Sequence, residues 1–302
     1  MKTAFLFSGQ GAQYVGMGKD LLTYDVAKNI FQQADAALGF SISDIILNGP
    51  DEKLMQTRYT QPAILTMSIA IYEILKSKGI TADVVAGLSL GEYGALYAAG
   101  VFDFPTVIKL VHERGKIMET SATDVVTAMY AIIGGNRDMV ANVCEQISGI
   151  VEISNYNCTG QIVIAGEKVA VETAVAKLKE EKIRAIPLKV SGAFHTSLLA
   201  DAGTKLGEVL TQVTMQVPNL PVLTNVTGDY YQPEVAMIKK TLAQQVYSAV
   251  HFEDELLKLA ADGVTTFIEI GPKNTLTTFV KKTLSDVAAI PTDTLENIEK
   301  IG

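Results

Sequence analysis

The 302-residue sequence lacks several features that would assign it to particular classes of protein. It has no tryptophan, and its two cysteines, Cys144 and Cys158, are too few for a disulfide framework and are not spaced as a metal or redox pair. Reduced thiols in a cytoplasmic protein are therefore expected. Before Ser8 the apolar run is too short for a secretory signal. Two prolines, two glutamines and two asparagines interrupt the longest uncharged run, residues 209–228, so no membrane span is expected.

Positive charge is also scarce. The net charge is −8 and the pI is about 5.0, which disfavours broad attraction to nucleic acid or anionic lipid. The composition, 48% hydrophobic and 19% charged residues, is typical of a folded enzyme. We therefore expect neither a nucleic-acid partner nor a membrane.

Three apolar runs, each followed by a glycine turn and a helical pattern, predict buried parallel strands: "TAFLFSG", "ADVVAGLS" and "TTFIEIGP". This alternation predicts an α/β domain whose sheet is covered by helices on both faces. Between residues 126 and 190 the order changes to β-α-β-β-α-β, the ferredoxin-like pattern. The expected architecture is a hydrolase-like large domain, residues 1–125 and 191–302, with an inserted ferredoxin-like subdomain, residues 126–190. Ligand sites favour the cleft between such units.

A single serine occupies the corner between the second predicted strand and the next helix. Gly87-Leu88-Ser89-Leu90-Gly91 fits G-x-S-x-G, in which the serine of a strained turn exposes its hydroxyl as a nucleophile. An ordinary helix N-cap serine is the alternative. An acyl-transfer serine also needs N–H donors for the oxyanion, and Leu90 with the loop "FSGQGAQ" around Gln10 can supply them. A dinucleotide loop at the same place is disfavoured because Tyr14 replaces the third glycine.

Of the three histidines, His195 is the candidate base for this serine. It lies in "VSGAFHTSLL", among small and apolar residues at the predicted cleft, although a structural histidine remains an alternative. His112 shares a helix side with charged residues and is predicted to be a solvated surface residue, and His251 is predicted at a helix entrance. No acid can be assigned as a third member, so a backbone carbonyl could orient the imidazole.

One arginine lies on the apolar side of a predicted helix. In "FDFPTVIKLVHERGKIMET", Arg114 follows Val111 by three residues and precedes Met118 by four, so all three share a face. A buried guanidinium is costly unless it is paired. It either forms an internal salt bridge or awaits the carboxylate of a substrate, as in an enzyme that handles a dicarboxylic half-thioester.

Taken together, eight stretches between about residues 4 and 280 resemble the malonyl-CoA:acyl-carrier-protein transacylases. They are "FLFSGQGAQ", "YTQPAILT", "GLSLGEY", "LVHERGKIM", "NCTGQIVIAG", "GAFHTSLL", "QQVYSAVHF" and "IEIGPKNTL". Many family members have histidine at the position of Leu88, and residues 248–250, "SAV", also depart from the usual pattern.

The resemblance implies a role for each matching residue. Ser89 accepts the malonyl group, His195 is the general base, and Arg114 binds the malonyl carboxylate. Gln10 and Leu90 form the oxyanion hole, and the carbonyl of Gln245 orients His195. The implied pocket neighbours are Gln61, Asn155, Asn157 and Phe194, the last of these being typical of malonyl rather than methylmalonyl selection.

The implied activity is malonyl transfer from malonyl-CoA to the phosphopantetheine thiol of an acyl carrier protein, for fatty acid biosynthesis, with no cofactor or metal. A free-standing acyltransferase of a polyketide synthase, a serine esterase or thioesterase, and a non-catalytic binding module remain alternatives. Lys281 and Lys282 are candidates for docking the acidic carrier protein, although an exposed lysine pair is commonly only a solvated helix face.

Overall fold

A computed structural model describes residues 2–121, 125–188, 190 and 192–301. The strands are β1 (Lys2–Phe7), β2 (Val84–Gly87), β3 (Thr127–Ile133), β4 (Val151–Cys158), β5 (Gln161–Glu167), β6 (Arg184–Pro187), β7 (Leu223–Thr224), β8 (Asp229–Tyr230), β9 (Val264–Ile270) and β10 (Ala288–Pro291). The helices are α1 (Asp25–Leu38), α2 (Ile42–Asn48), α3 (Asp51–Leu54), α4 (Thr57–Ser77), α5 (Gly91–Ala98), α6 (Phe104–Thr120), α7 (Arg137–Glu145), α8 (Lys168–Glu180), α9 (Ala200–Thr211), α10 (Val235–Gln245), α11 (Phe252–Ala261), α12 (Thr275–Thr283) and α13 (Leu295–Glu299). Over these described ranges, no helix is long and apolar enough to cross a membrane.

The larger sheet is parallel throughout and has the strand order β10-β9-β1-β2. Successive side chains of a strand point to opposite faces. Phe5 and Phe7 of β1 accordingly join the core that includes α4 and α5, whereas Ala4 and Leu6 join the core that includes α11 and α12. The predicted α/β class with helices on both faces is confirmed. The sequence did not predict the short edge strand β10, whose residues are exposed or half-buried.

The smaller sheet is antiparallel, with the order β4-β5-β3-β6. Its elements follow the predicted succession β3-α7-β4-β5-α8-β6, and α7 and α8 pack on it around a separate apolar core. The last strand was predicted over 183–190 but ends at Pro187. Lys189, Ser191 and residues 122–124 lie outside the described residues, so the limits 125/126 and 190/191 of the subdomain stay a prediction.

The neighbouring strands β1 and β2 bring two loops together. Because the strands are parallel, the loops that follow them leave the same edge of the sheet, where ligands of open α/β sheets bind. The N–H of Leu88 donates to the carbonyl of Phe7 at 3.1 Å. A Cβ on Gly91 would lie only 2.0 Å from the same carbonyl oxygen, so this approach requires glycine.

Both cysteines are buried and unpaired. Burial raises the pKa of the Cys144 and Cys158 thiols to about 11, so each stays protonated at neutral pH. This environment gives neither thiol the character of a nucleophile.

Candidate active site

Ser89 lies at the turn between β2 and α5 with a φ of 52°, in the left-handed region that side chains other than glycine seldom adopt. Two side-chain amides hold this backbone. The N–H of Ser89 donates to Oδ1 of Asn225 at 2.6 Å, and its carbonyl accepts from Nε2 of Gln245 at 2.9 Å. The strained turn is therefore fixed on both sides, as a nucleophile elbow requires.

His195 connects the serine to a backbone carbonyl. Its Nε2 is 2.7 Å from Oγ of Ser89, and its Nδ1 is 2.7 Å from the carbonyl oxygen of Gln245. Since a carbonyl only accepts hydrogen bonds, Nδ1 carries the proton and Nε2 is left to accept from the serine hydroxyl. No carboxylate is needed to select this tautomer.

The surroundings of His195 also keep its ring neutral. Burial lowers the pKa of His195 to about 4, and the nearby cation of Arg114 acts in the same direction, against hydrogen bonds to the backbone of Gln245 and Ser248. The imidazole is therefore uncharged at pH 7 and free to take a proton.

Arg114 projects from α6 to the serine and is fully buried. Its Nη2 donates to Oγ of Ser89 at 3.2 Å and to Oε1 of Gln245 at 2.9 Å, and its Nη1 donates to Oε1 of Gln61 at 2.8 Å. Burial lowers the pKa of Arg114, against the opposite influence of Tyr93 and Glu92.

One of the two interpretations of Arg114, an internal salt bridge, is not found among the described residues. Across the described ranges, none of the ion pairs with nitrogen and oxygen within 4.0 Å involves this guanidinium, whereas Arg58 and Arg137 both pair with acids. Its buried Nε has no hydrogen-bond partner among the same residues. A buried cation held only by neutral groups is suited to an incoming carboxylate.

The two predicted oxyanion donors both lie beside Ser89. Leu90 follows Ser89 directly, and Gln10 lines the same cavity as Ser89. A Cβ on Gly9 would lie 2.5 Å from the carbonyl oxygen of Leu88, so the glycine permits the two loops to approach. Neither the backbone N–H of Gln10 nor that of Leu90 donates a hydrogen bond to another described residue. Their role stays a prediction.

A cavity of about 130 Å³ opens onto Ser89 between the two sheets. One side of the cavity is lined by Gln10, Leu88, Ser89, Met118, Phe194 and His195. The other side is lined by Met129, Asn155, Asn157 and Val163 of the smaller sheet, and by Leu188 and Val190, which follow β6. A neighbouring cavity of about 200 Å³ shares Gln10, Leu88 and Asn157. Gln61 does not line this cavity, but its Oε1 accepts a hydrogen bond from Nη1 of Arg114. A larger cavity of about 730 Å³ is lined by none of the predicted site residues.

Sequence reasoning missed the polar residues that support the elbow. Asn225, Glu92 and Tyr231 are buried and hydrogen-bonded to one another or to Gln245. One signal was present, since Glu92 is the only charged residue in the otherwise apolar and small "GEYGALYAAG". Asn225 stands in a loop far along the chain and carried no comparable signal.

The other histidines lie apart from this site. His251 is the N-cap of α11, as predicted. The prediction for His112 was wrong, because this residue is half-buried rather than solvated. Its Nδ1 lies 2.8 Å from the carbonyl oxygen of Arg58, and its ring packs against Phe40 and Tyr59 where α6 meets α4.

The sequence and the structure are both similar to those of known acyltransferases. Residues 4–297 match the family described as "Acyl transferase domain". The chain is 44% identical over 303 residues to the malonyl CoA-acyl carrier protein transacylase of Bacillus subtilis, covering 99% of this chain and 95% of that protein. It is similar in structure to an acyl carrier protein S-malonyltransferase from Vibrio cholerae, with 38% identity, a TM-score of 0.96 and full coverage of both chains. It also resembles a malonyl-transacylase solved in complex with a type II polyketide acyl-carrier protein, with 36% identity, a TM-score of 0.96 and coverage of 99% and 98%.

Proposed function

The chain belongs to the acyl transferase family, among the malonyl CoA-acyl carrier protein transacylases, and on this basis we propose that it moves a malonyl group from CoA to an acyl carrier protein for fatty acid synthesis. The observation that carries the proposal is the contact of Arg114 with Oγ of Ser89. It puts a buried cation, which has no paired carboxylate within the described part of the chain, 3.2 Å from the hydroxyl that would carry the acyl group.

In the first half-reaction, Oγ of Ser89 attacks the thioester carbonyl of malonyl-CoA while Nε2 of His195 takes the hydroxyl proton. The N–H groups of Gln10 and Leu90 stabilise the oxyanion of the tetrahedral intermediate. The carbon–sulfur bond then breaks, and His195 returns the proton to the departing CoA thiol. The product is malonyl-Ser89.

The second half-reaction repeats this chemistry in reverse. His195 takes the proton of the pantetheine thiol of the carrier protein, the sulfur attacks the ester carbonyl, and the bond to Oγ of Ser89 breaks. The serine oxygen regains its proton from His195. Because the same base serves both nucleophiles, the enzyme follows a ping-pong cycle.

Arg114 selects the acyl group in this scheme. The planar guanidinium forms paired hydrogen bonds to the malonyl carboxylate, which holds the acyl chain while it changes carriers. Asn155, Asn157 and Phe194 complete the acyl pocket.

The proposed cycle needs no cofactor besides the CoA thioester and the pantetheine of the carrier protein, because the chain itself supplies the nucleophile, base and oxyanion donors. We place the enzyme in the cytoplasm, where both thioesters are available. The exposed Lys281 and Lys282 extend α12 beyond Leu276 and Phe279, which line the neighbouring cavity. They are the proposed contact for an acidic carrier protein.

The proposal is tested by incubating the protein with malonyl-CoA and a bacterial acyl carrier protein, with or without its phosphopantetheine arm. We expect malonyl thioester only on the carrier that bears the arm. An esterase or thioesterase would instead release malonate at the same rate with either carrier, which would contradict the proposal.

A polyketide pathway is the second candidate, because one similar structure holds a type II polyketide acyl-carrier protein. The same residues serve both pathways. Comparison of transfer rates to a fatty-acid and a polyketide carrier protein separates them, and we expect the fatty-acid carrier to be the better acceptor.

A further inference from the structure

A buried carboxylate lies one helical turn behind the nucleophile. Glu92, in the first turn of α5, is fully buried and receives hydrogen bonds from the N–H of Asn225 at 3.1 Å, from Nε2 of Gln245 at 2.7 Å and from the hydroxyl of Tyr231. The first two groups can only donate. A position at a helix N-terminus also favours negative charge. This set of donors suits an ionised carboxylate, although burial raises the pKa of Glu92.

The side-chain amide of Gln245 lies between this carboxylate and the guanidinium. Its Oε1 accepts from Arg114 at 2.9 Å, while its Nε2 donates to Glu92 at 2.7 Å and to the carbonyl of Ser89 at 2.9 Å. If the amide turned by 180°, its NH₂ would face the guanidinium and its oxygen would face a carboxylate and a carbonyl. Glu92 and Arg114 therefore permit only one orientation of Gln245.

Glu92 reaches the acyl pocket only through other residues. It does not line the cavity at Ser89, and it makes no ion pair with Arg114 within 4.0 Å. Its carboxyl group nevertheless lies one amide away from the buried cation, and its hydrogen bond fixes the amide that holds both Arg114 and the backbone of Ser89.

We propose that Glu92 is a positioning residue that orients the side chain of Gln245 and thereby sets the guanidinium of Arg114 for an acyl carboxylate. This inference rests on the proposed function, because it assumes that Arg114 receives the malonyl carboxylate. Its signature is a change in acyl selectivity, which a residue that only stabilised the fold would not cause.

A double-mutant cycle tests the proposal. Glu92→Met and Gln245→Met each remove one partner of the hydrogen bond between these two side chains. Gln245→Met keeps the backbone carbonyl that orients His195. We expect each to lower kcat/KM for malonyl transfer by roughly 10- to 100-fold, as for a lost hydrogen bond to a charged group. We expect the ratio of malonyl to acetyl transfer to fall in both variants, and to fall no further in the double variant.

Two further variants separate positioning from stability. Tyr231→Phe removes a donor from the same carboxylate without touching Gln245, so it should lower the thermal midpoint but leave the malonyl-to-acetyl ratio unchanged. Glu92→Gln keeps an oxygen for Gln245 and should restore most of the ratio. If Glu92→Met fails to fold, Glu92→Asp replaces it, because the shorter side chain keeps the charge but withdraws from the amide.

The inference is refuted if folded Glu92→Met or Glu92→Asp keeps the wild-type ratio, or if the losses of ratio in the two single variants multiply in the double variant. The wild-type protein distinguishes this failure from failure of the proposed function. If the wild type transfers malonyl and prefers it to acetyl, the proposed function stands whatever the Glu92 variants do. If it transfers neither, the proposed function itself is wrong.

Discussion

Replacing Arg114 with methionine removes the buried cation while keeping an unbranched side chain of similar length. In the wild type the guanidinium donates to Gln61, Ser89 and Gln245, none of which is an acid. Among the residues that the structure describes, the substitution therefore removes no ion pair of the free protein. What it removes is the proposed partner of the malonyl carboxylate.

The size of the effect follows from the site. Removing one partner of a buried, hydrogen-bonded charge pair costs about 3–5 kcal/mol, or roughly 100- to 4,000-fold in kcat/KM for malonyl-CoA. Acetyl-CoA has no carboxylate for Arg114, so its transfer should change by less than about tenfold. The malonyl-to-acetyl preference should consequently collapse.

The assay compares the rates of Ser89 acylation by malonyl-CoA and acetyl-CoA in the wild type and the variant, with thermal unfolding as the check that the variant is folded. Arg114→Lys is the matched control, since it keeps the charge but not the planar pair of donors, and it should retain part of the preference. A folded Arg114→Met protein with the wild-type preference would refute the assigned role.

Three other perturbations follow from the structure. Because the pKa of His195 is lowered to about 4, kcat/KM should stay constant as the pH falls past 6.5 and should decline only near pH 4. A decline of kcat/KM that begins near pH 6.5 would contradict a neutral, buried base. The unfolded chain binds this proton from about pH 6.5 downward, so the free energy of unfolding should fall between pH 6.5 and 4, as measured by urea titration. Gly91→Ala should destabilise the fold by at least about 2 kcal/mol, because its Cβ would lie 2.0 Å from the carbonyl oxygen of Phe7. Gly207→Ala is the control and should be tolerated, since its Cβ would meet only a methyl group 3.7 Å away. Equal thermal midpoints for the two variants would exclude the tight contact at Gly91. Leu90→Ala should keep most of its acylation rate, since the proposed oxyanion donor is its backbone N–H.

Much of this architecture was predictable because its signals are local. An apolar run, a glycine turn and an apolar helix mark the elbow at Ser89, and the change of rhythm after residue 126 marks the second sheet. The helical spacing of Val111, Arg114 and Met118 placed the arginine on the buried side. The elbow and the arginine are each marked within fewer than about 20 residues, by glycines at a turn and by helical spacing. The second sheet is marked by the order of its elements over residues 126–190.

The supporting network was not predictable in the same way, since its contacts join distant segments. Asn225 meets Ser89 across 136 residues, and Gln245 meets Glu92 across 153. Spacing along the chain carries no information about such pairs. For His112, helical spacing predicted the side of α6 on which the residue lies. It did not predict that α4 covers this side, because that contact joins two separate helices.

The central claim is that Ser89, His195 and Arg114 together accept a negatively charged acyl group. Intact-mass measurement after brief exposure to malonyl-CoA tests it most directly, with Ser89→Ala as the blank and peptide mapping to locate the label. We predict one malonyl group on Ser89 of the wild type and none on the variant. An unlabelled wild-type protein, or equal labelling of the Ser89→Ala variant, would contradict the account.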